Sequence, residues 1–389
     1  MGQAVRFLLS GTGVRLSGFY AAAFLVIGVQ QPFWPLWLKA KGLDAEAIGI
    51  ALALSYGVKV LSTPLAAHLA DRSGERRRPI ILLLLATSAA FALFAVTDSF
   101  AAILAVSLVY FAVWPPAISL AESLTVIAAQ AGGPEYGRVR LWGSLSFIAA
   151  AAIAGQVLAA ATPQAVYWLV LAATTLALLA GLRLPDLRGE RSRSTRLPLI
   201  EALRAPRFVL CLVACGLIQG SHAVYYGFGA LHWQAAGYGE NVIGVLWAEG
   251  VVAEVLLFAW GRRILARLSP AALIASAGLA SAVRWIGLAS TTELPALIAL
   301  QTLHAVSFGA AHLGAMHYIA GSMPPQLSAT AQSLYSGVVW GLFFGVLLFA
   351  AGGLYAQLYQ GAYWVMAGVA VVGGLCAWVV VRGERQAAG

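Results

Sequence analysis

The sequence predicts an all-α membrane protein of twelve transmembrane helices, arranged as two six-helix pseudo-symmetric bundles. Three observations predict it. The 389 residues are 61% hydrophobic and 10% charged, with a mean hydropathy of +0.83. Soluble domains are about 45–50% apolar and about 25% charged, so this chain has too few polar residues to cover a water-facing surface. Apolar runs long enough to cross a bilayer recur from end to end, and a repeat half a chain long relates the first run to the seventh.

The twelve runs lie near 16–38, 47–70, 79–97, 100–129, 140–161, 164–182, 208–233, 241–261, 271–290, 295–319, 328–350 and 361–381. A spanning helix takes about 20 apolar residues, so twelve with short loops consume nearly the whole chain. No soluble domain of any size is left over. The first run continues into a full span, so no cleavable signal is expected, and the start lacks the Ser or Thr that myristoylation requires. The longest polar stretch, 183–207, is Arg-rich and contains Pro185, Pro198 and Pro206. It reads as a cytoplasmic linker (184–207) between an N-terminal bundle (1–183) and a C-terminal one (208–389).

Positive charge sets the orientation. With the N-terminus inside, the inner segments hold 20 of the 24 basic residues, including Arg72, Arg76, Arg77 and Arg78, Arg138 and Arg140, and seven arginines from Arg183 to Arg207. The outer loops hold Lys39 and Lys41. Both termini are therefore expected in the cytoplasm, with the chain in a plasma membrane, bacterial inner membrane by class. The net charge of +9 is mostly this topology signal, and no nucleic-acid partner follows from it. Cys211, Cys215 and Cys376 lie in apolar runs without metal or redox spacing. No cofactor and no metal are expected, and a monomer is the expected state.

The repeat reads Leu36-Trp37-Leu38-Lys39-Ala40-Lys41-Gly42 with Ile48-Gly49-Ile50, against Leu231-His232-Trp233-Gln234-Ala235-Ala236-Gly237 with Ile243-Gly244-Val245, an offset of 195 residues. A duplicated six-helix unit places matches there.

Ionisable residues inside spans cost about 2.5–3.5 kcal/mol each on insertion scales, so each needs a partner, a cavity or a task. They are Lys59, Glu122, Glu249, Glu254 and Arg284, with His222, His232, His304, His312 and His317 adding polarity. Structural ion pairing is the plainer reading of any one of them; a substrate or proton site is the reading of the set. The 195-residue offset maps Lys59 onto Glu254. Glu249 and Glu254 are five apart, about 140° round a helix, and so face different ways. Polar and aromatic residues form stripes on four spans: Tyr20, Phe24, Gln31 and Trp34; Tyr110, Trp114 and Glu122; Gln219, His222 and Tyr226; Gln301, His304, Ser307 and His312. Aromatic rows are commonly packing, but rows shared with His, Gln and Glu suit a flat apolar ring carrying polar groups.

The first inner loop, Ala67-His68-Leu69-Ala70-Asp71-Arg72-Ser73-Gly74-Glu75-Arg76-Arg77-Arg78, resembles the signature between helices two and three of the major facilitator superfamily. Ala67 stands where that pattern has Gly. The resemblance implies two parallel repeats with substrate held at mid-depth between them, and a breakable gating lock built on Asp71, Arg72 and Gly74, with Lys59 as a further gating or structural residue. Glu122 followed by Tyr136-Gly137-Arg138-Val139-Arg140-Leu141-Trp142-Gly143 is similar to the sugar-site acid and arginine of the lactose permease, which would fall on Glu122 and Arg140. Arg284 with Gln301-Thr302-Leu303-His304 resembles that permease's helix-nine arginine and helix-ten histidine. The proton-site carboxylate expected three residues later is Ser307 here, so Glu249 or Glu254 would have to titrate.

The fuller likeness is to the phenylpropionate permease group, through Pro32-Phe33-Trp34-Pro35-Leu36-Trp37-Leu38, Gly250-Val251-Val252-Ala253-Glu254-Val255, Arg284-Trp285 and the run from Leu303 to His312. It implies proton-coupled symport of an aromatic monocarboxylate by alternating access. Substrate contacts are then expected from Tyr20, Phe24, Gln31, Trp34, Trp114, Glu122, Arg140, Gln219, His222, Tyr226, Arg284, Gln301, His304 and His312. Proton coupling is expected from Glu254, Glu249 and His304. A sugar or nucleoside symporter is the alternative, drug efflux is weaker, and a membrane-embedded enzyme or receptor weaker still. No nucleophile elbow, phosphate loop or metal cluster is present in the sequence.

Overall fold

The computed structural model describes residues 11–188 and 199–388. Arg6, and Arg191, Arg193 and Arg196 of the expected linker, lie outside the described residues. The described chain is helical: α1 (Gly11–Ala40), α2 (Ala45–Ser73), α3 (Arg77–Val96), α4 (Phe100–Gln130), α5 (Tyr136–Ala159), α6 (Gln164–Gly181), α7 (Pro206–Ala235), α8 (Glu240–Ala259), α9 (Pro270–Ser290) and α10 (Leu294–Ser322). Then come α11, in three stretches (Pro325–Tyr335, Ser336–Phe343, Phe344–Leu358), and α12 (Ala362–Ala388). Among the described residues, 11 stretches are long and apolar enough to cross a membrane. The last of them, Thr330–Gly383, runs for 54 residues and is broken at Tyr359–Gly361, where Tyr359 takes a φ of 48°. A segment that long crosses twice, which accords with twelve crossings.

Polarity is arranged for lipid. Leu61, Leu65, Leu279 and Phe349 face outward, whereas Gln219, Ser281, Arg284, Gln301 and Ser307 are fully buried. Hydrocarbon offers no hydrogen bonds, so polar side chains turn to the interior.

The chain forms two compact units, comprising the described parts of Met1–Leu43, Gly57–Ser194 and Gly239–Ala248, and of Asp44–Tyr56, Thr195–Tyr238 and Glu249–Gly389. Neither unit is a continuous half of the sequence, because α2 and α8 each divide between the two.

Within the first unit, α1 packs on α5 at Gly28, where a Cβ would lie 2.8 Å from Ala150 Cβ. Ser146 Oγ donates to the Ala21 carbonyl at 2.6 Å. Small residues let helix backbones meet where no hydrophobic effect drives association in lipid. The start of α8 joins this unit through Gly244, whose Cβ would lie 2.3 Å from the Ala151 carbonyl oxygen of α5. In the second unit the start of α2 joins α11 through Gly49, whose Cβ would lie 2.6 Å from Gly352 Cα. Gly49 and Gly244 are the glycines matched by the 195-residue repeat. What repeats is a place where only hydrogen fits.

Two of the expected runs differ in detail. The run expected at 328–350 is helical from Pro325 to Leu358. Gly352 and Gly353 lower the hydropathy there, yet Gly352 packs against Ala45 and Gly49 of α2 and the helix continues. The run expected at 208–233 is interrupted between Gly220 and Ala223. Ser221 Oγ donates to the Ile218 carbonyl at 2.6 Å, and His222 Nδ1 lies 3.1 Å from the same oxygen. Side chains that bond their own backbone weaken the helical ladder at that point.

Candidate functional site

In the second unit, α7, α8, α9 and α10 bring an unbroken polar array together. Arg284 on α9 is fully buried. Its Nη1 donates to His304 Nδ1 at 3.0 Å and reaches Ser307 Oγ at 3.4 Å. Its Nη2 donates to Gln301 Oε1 at 2.6 Å, and Gln301 Nε2 donates to Tyr225 Oη at 2.9 Å. The guanidinium carbon lies 4.4 Å above the Tyr225 ring and 4.9 Å from that of Trp285. Its immediate partners are thus neutral, and among the described residues Nε finds no hydrogen-bond partner.

The charge is answered one residue away. His304 Nε2 lies 3.5 Å from Glu254 Oε2 on α8. Because Nδ1 accepts from Arg284, the imidazole is neutral with its proton on Nε2, pointing at the carboxylate. One ring is therefore shared between a cation and an acid. Gly250 makes this approach possible, since a Cβ there would sit 3.3 Å from His304 Cβ. Glu249 lies half-buried on the preceding turn of α8.

The other branch runs through Ser307, whose Oγ is 3.3 Å from His222 Nε2. Around it α10 is π-helical over Ala305–Ala310. A π-turn opens the ladder to i→i+5 and commonly marks functional segments. The Phe308 carbonyl within it accepts from Gln219 Nε2 at 3.2 Å. Phe308 stacks on His304 at 5.0 Å and meets Trp340 of the π-helical part of α11 at 5.5 Å. His312 lies further along α10, its ring 6.1 Å from that of Tyr335.

In the first unit, Arg140 near the start of α5 stacks 4.1 Å over Phe24 and lies 5.9 Å from Tyr20. Tyr20 and Phe24 are themselves stacked at 6.4 Å. Gly143 makes room, because a Cβ there would come within 2.9 Å of Phe24 and 3.1 Å of Arg140 Nη1. Glu122 of α4 stands 3.9 Å from Arg140 Nε, with the two side chains 42% and 32% exposed. That separation exceeds the usual 2.7–2.9 Å of a charge-assisted hydrogen bond, so the pair attracts without locking.

Trp34 is enclosed instead, stacked on Trp37 at 4.4 Å and flanked by Phe91 and Phe94 at 5.3 and 4.9 Å. Trp114 is buried and stacks on Tyr110 at 6.4 Å, whose hydroxyl donates to Gln30 at 2.9 Å. Gln31 and Lys59 are half-buried on α1 and α2. At the end of α2, Asp71 pairs with Arg76 of the following loop, and Arg76 Nε also donates to Ser123 Oγ of α4 at 3.1 Å. Arg72 points outward, and Gly74 supplies a φ of 72° at the turn.

Tyr225 is missing from the stripes that spacing picks out. The spacing of Gln219, His222 and Tyr226 survives the interruption at Ser221–His222, where Ser221 N–H still donates to Leu217 and Tyr226 N–H to His222. Tyr226 stacks on His222 at 5.9 Å, while its neighbour Tyr225 contacts Arg284 and Gln301.

A family model described as the MFS_1 like family matches residues 14–366. The chain belongs to that family. It is therefore a major facilitator transporter and not an enzyme. The probable 3-phenylpropionic acid transporter of Escherichia coli (strain K12) is 33% identical over 359 residues, covering 90% of this chain and 93% of that one. The maltose permease of Geobacillus stearothermophilus is 26% identical over 397 residues, covering 100% and 99%. Among solved structures, the nucleoside transporter NupG matches with a TM-score of 0.83 at 14% identity, covering 95% of this chain and 98% of that one. This last likeness establishes the major facilitator fold.

Proposed function

We propose that this transporter carries a small aromatic monocarboxylate, of which phenylpropionate is representative, together with a proton by alternating access. The observation that carries the reading is the array Arg284–His304–Glu254, in which one neutral imidazole bridges a buried cation and a carboxylate at 3.0 and 3.5 Å. With Glu254 ionised the array has no net charge. A proton on Glu254 leaves the Arg284 charge uncompensated in a low-dielectric interior, which favours an anionic substrate. Proton and anion then load together.

Accessibility divides the two arginines. Arg284 is fully buried and already donates to three partners, which suits a coupling element. The Arg140 side chain is 32% exposed and lies on an aromatic platform. Its rigid guanidinium fork fits a carboxylate, and the Phe24 and Tyr20 rings fit a phenyl group. The 33% identity to a probable 3-phenylpropionic acid transporter supports the same substrate class.

Sugar or nucleoside symport is the second reading, favoured by the accessible carboxylate of Glu122 beside Arg140, which would accept from hydroxyl groups. Competition separates them. Labelled phenylpropionate uptake should be blocked by other aromatic monocarboxylates and unaffected by disaccharides and nucleosides. Arg140→Gln should raise the half-saturating concentration about 10–100-fold, the worth of a charge-assisted hydrogen bond. Competition by sugars, or an unchanged affinity in Arg140→Gln, contradicts the carboxylate reading.

A further inference from the structure

Two neighbouring residues of α9 hold two neighbouring residues of α7. Arg284 reaches Ser307 at 3.4 Å, and Ser307 in turn meets His222. Trp285 Nε1 donates to Ser221 Oγ at 2.8 Å. All five side chains are fully buried. The Trp285 indole also packs against both ends of this contact. Its ring meets that of His222 edge-on at 4.8 Å and lies 4.9 Å from the Arg284 guanidinium carbon.

The interruption of α7 gives this grip its chemistry. The His222 N–H turns to the Gln219 carbonyl at 3.2 Å, and not to the Ile218 carbonyl that the α-helical ladder assigns it. The Ile218 carbonyl is left to side chains, and Ser221 Oγ and His222 Nδ1 approach it at 2.6 and 3.1 Å. A carbonyl oxygen only accepts, so His222 carries a proton on Nδ1. A second buried cation beside Arg284 is disfavoured at low dielectric, so the ring is neutral. Its Nε2 then accepts from Ser307 across 3.3 Å, and Ser307 Oγ keeps its lone pairs for Arg284 Nη1. His304 is fixed the other way, with Nδ1 accepting from Arg284 and Nε2 protonated towards Glu254. The two histidines of the array therefore hold opposite tautomers.

We infer that Trp285 and Ser221 are positioning residues for proton-coupled transport, which keep His222 in the tautomer that lets Ser307 and His304 share Arg284. Without the indole N–H, Ser221 is free to turn and the Ile218 carbonyl is free to rejoin the helical ladder. His222 then loses the acceptor that holds its proton on Nδ1. With that proton on Nε2 the ring donates to Ser307, the serine hydrogen turns elsewhere, and Arg284 loses its second fixed acceptor. The inference rests on the reading of Arg284–His304–Glu254 as the coupling array.

The test uses Trp285→Phe, which keeps an aromatic ring and removes the N–H, Ser221→Ala, and the two combined, all in proteoliposomes. Each single change should lower the maximal rate of pH-driven uptake about tenfold, the worth of one buried hydrogen bond. The half-saturating concentration and the rate of counterflow should stay at the parental values, whereas a folding defect lowers counterflow in proportion. The combined variant should be no slower than the slower single one, because both changes cut the same bond. Nitrogen-15 spectra of histidine-labelled protein supply a second readout, with the His222 signals assigned by their loss in His222→Asn. The parent should show His222 protonated on Nδ1 and bare on Nε2, and Trp285→Phe should show a mixture. Parental driven uptake in both single variants, losses that multiply in the combined one, counterflow that falls with uptake, or a parental His222 protonated on Nε2 would each overturn the inference. Parental accumulation in Glu254→Gln would sink the coupling reading instead, and the His222 spectrum still decides whether Trp285 and Ser221 position that ring.

Discussion

Glu254→Gln is expected to abolish accumulation driven by an inwardly acid pH gradient while leaving counterflow of preloaded substrate near the parent rate. Glutamine keeps the shape of the side chain, and its Oε1 can still accept from His304 Nε2, which lies 3.5 Å from the native carboxylate. What it loses is the ability to take up and release a proton. Exchange of loaded substrate needs no net proton movement, so it survives; uphill uptake does, so it fails. Accumulation at the parental level would show that protons are carried elsewhere. Glu122, 42% exposed beside Arg140, would then be the carboxylate to examine.

The second large effect is on stability. Arg284→Gln removes the donor to His304, Ser307 and Gln301 and takes away the cation that shares the His304 ring with Glu254. The buried acceptors left unsatisfied and the lost charge balance together should cost about 3 kcal/mol. Pairing the change with Glu254→Gln removes both charges and should restore about 1 kcal/mol or more, because the two sites are coupled through one imidazole. Denaturation of the four proteins in one detergent measures the cycle. Strictly additive losses would mean that His304 does not link the two residues.

Sequence makes visible what chemistry forbids in lipid. Arg284, Glu254 and Glu122 stand out in apolar runs, and the spacing of Gln301, His304 and Ser307 puts them on one face of α10, where they meet Arg284. Hydropathy does not show where a helix departs from its ladder. The π-turn at Ala305–Ala310 changes residue phase without changing polarity. Spacing points to Tyr226, which stacks on His222, and misses its neighbour Tyr225, which contacts Arg284 and Gln301. Aromatic stripes are ambiguous in the same way: Phe24 supports Arg140, whereas Trp34 from the same helix is enclosed by Trp37, Phe91 and Phe94. The motif at the end of α2 marks Asp71 as a lock, but its partner, Arg76 with Ser123 behind it, emerges only from the fold. The repeat is legible as a match of letters at Gly49 and Gly244; their meaning, backbone contact with Gly352 and Ala151, lies in three dimensions.

The most direct test of proton-coupled monocarboxylate transport is the internal pH of proteoliposomes holding purified protein, followed by a trapped dye as phenylpropionate is added outside. Substrate-dependent acidification of the lumen is expected, exceeding that of protein-free vesicles, absent in Glu254→Gln and in step with labelled uptake. Labelled phenylpropionate entering the vesicles with no protein-dependent pH change, or acidification evoked by a disaccharide and not by the acid, would contradict it.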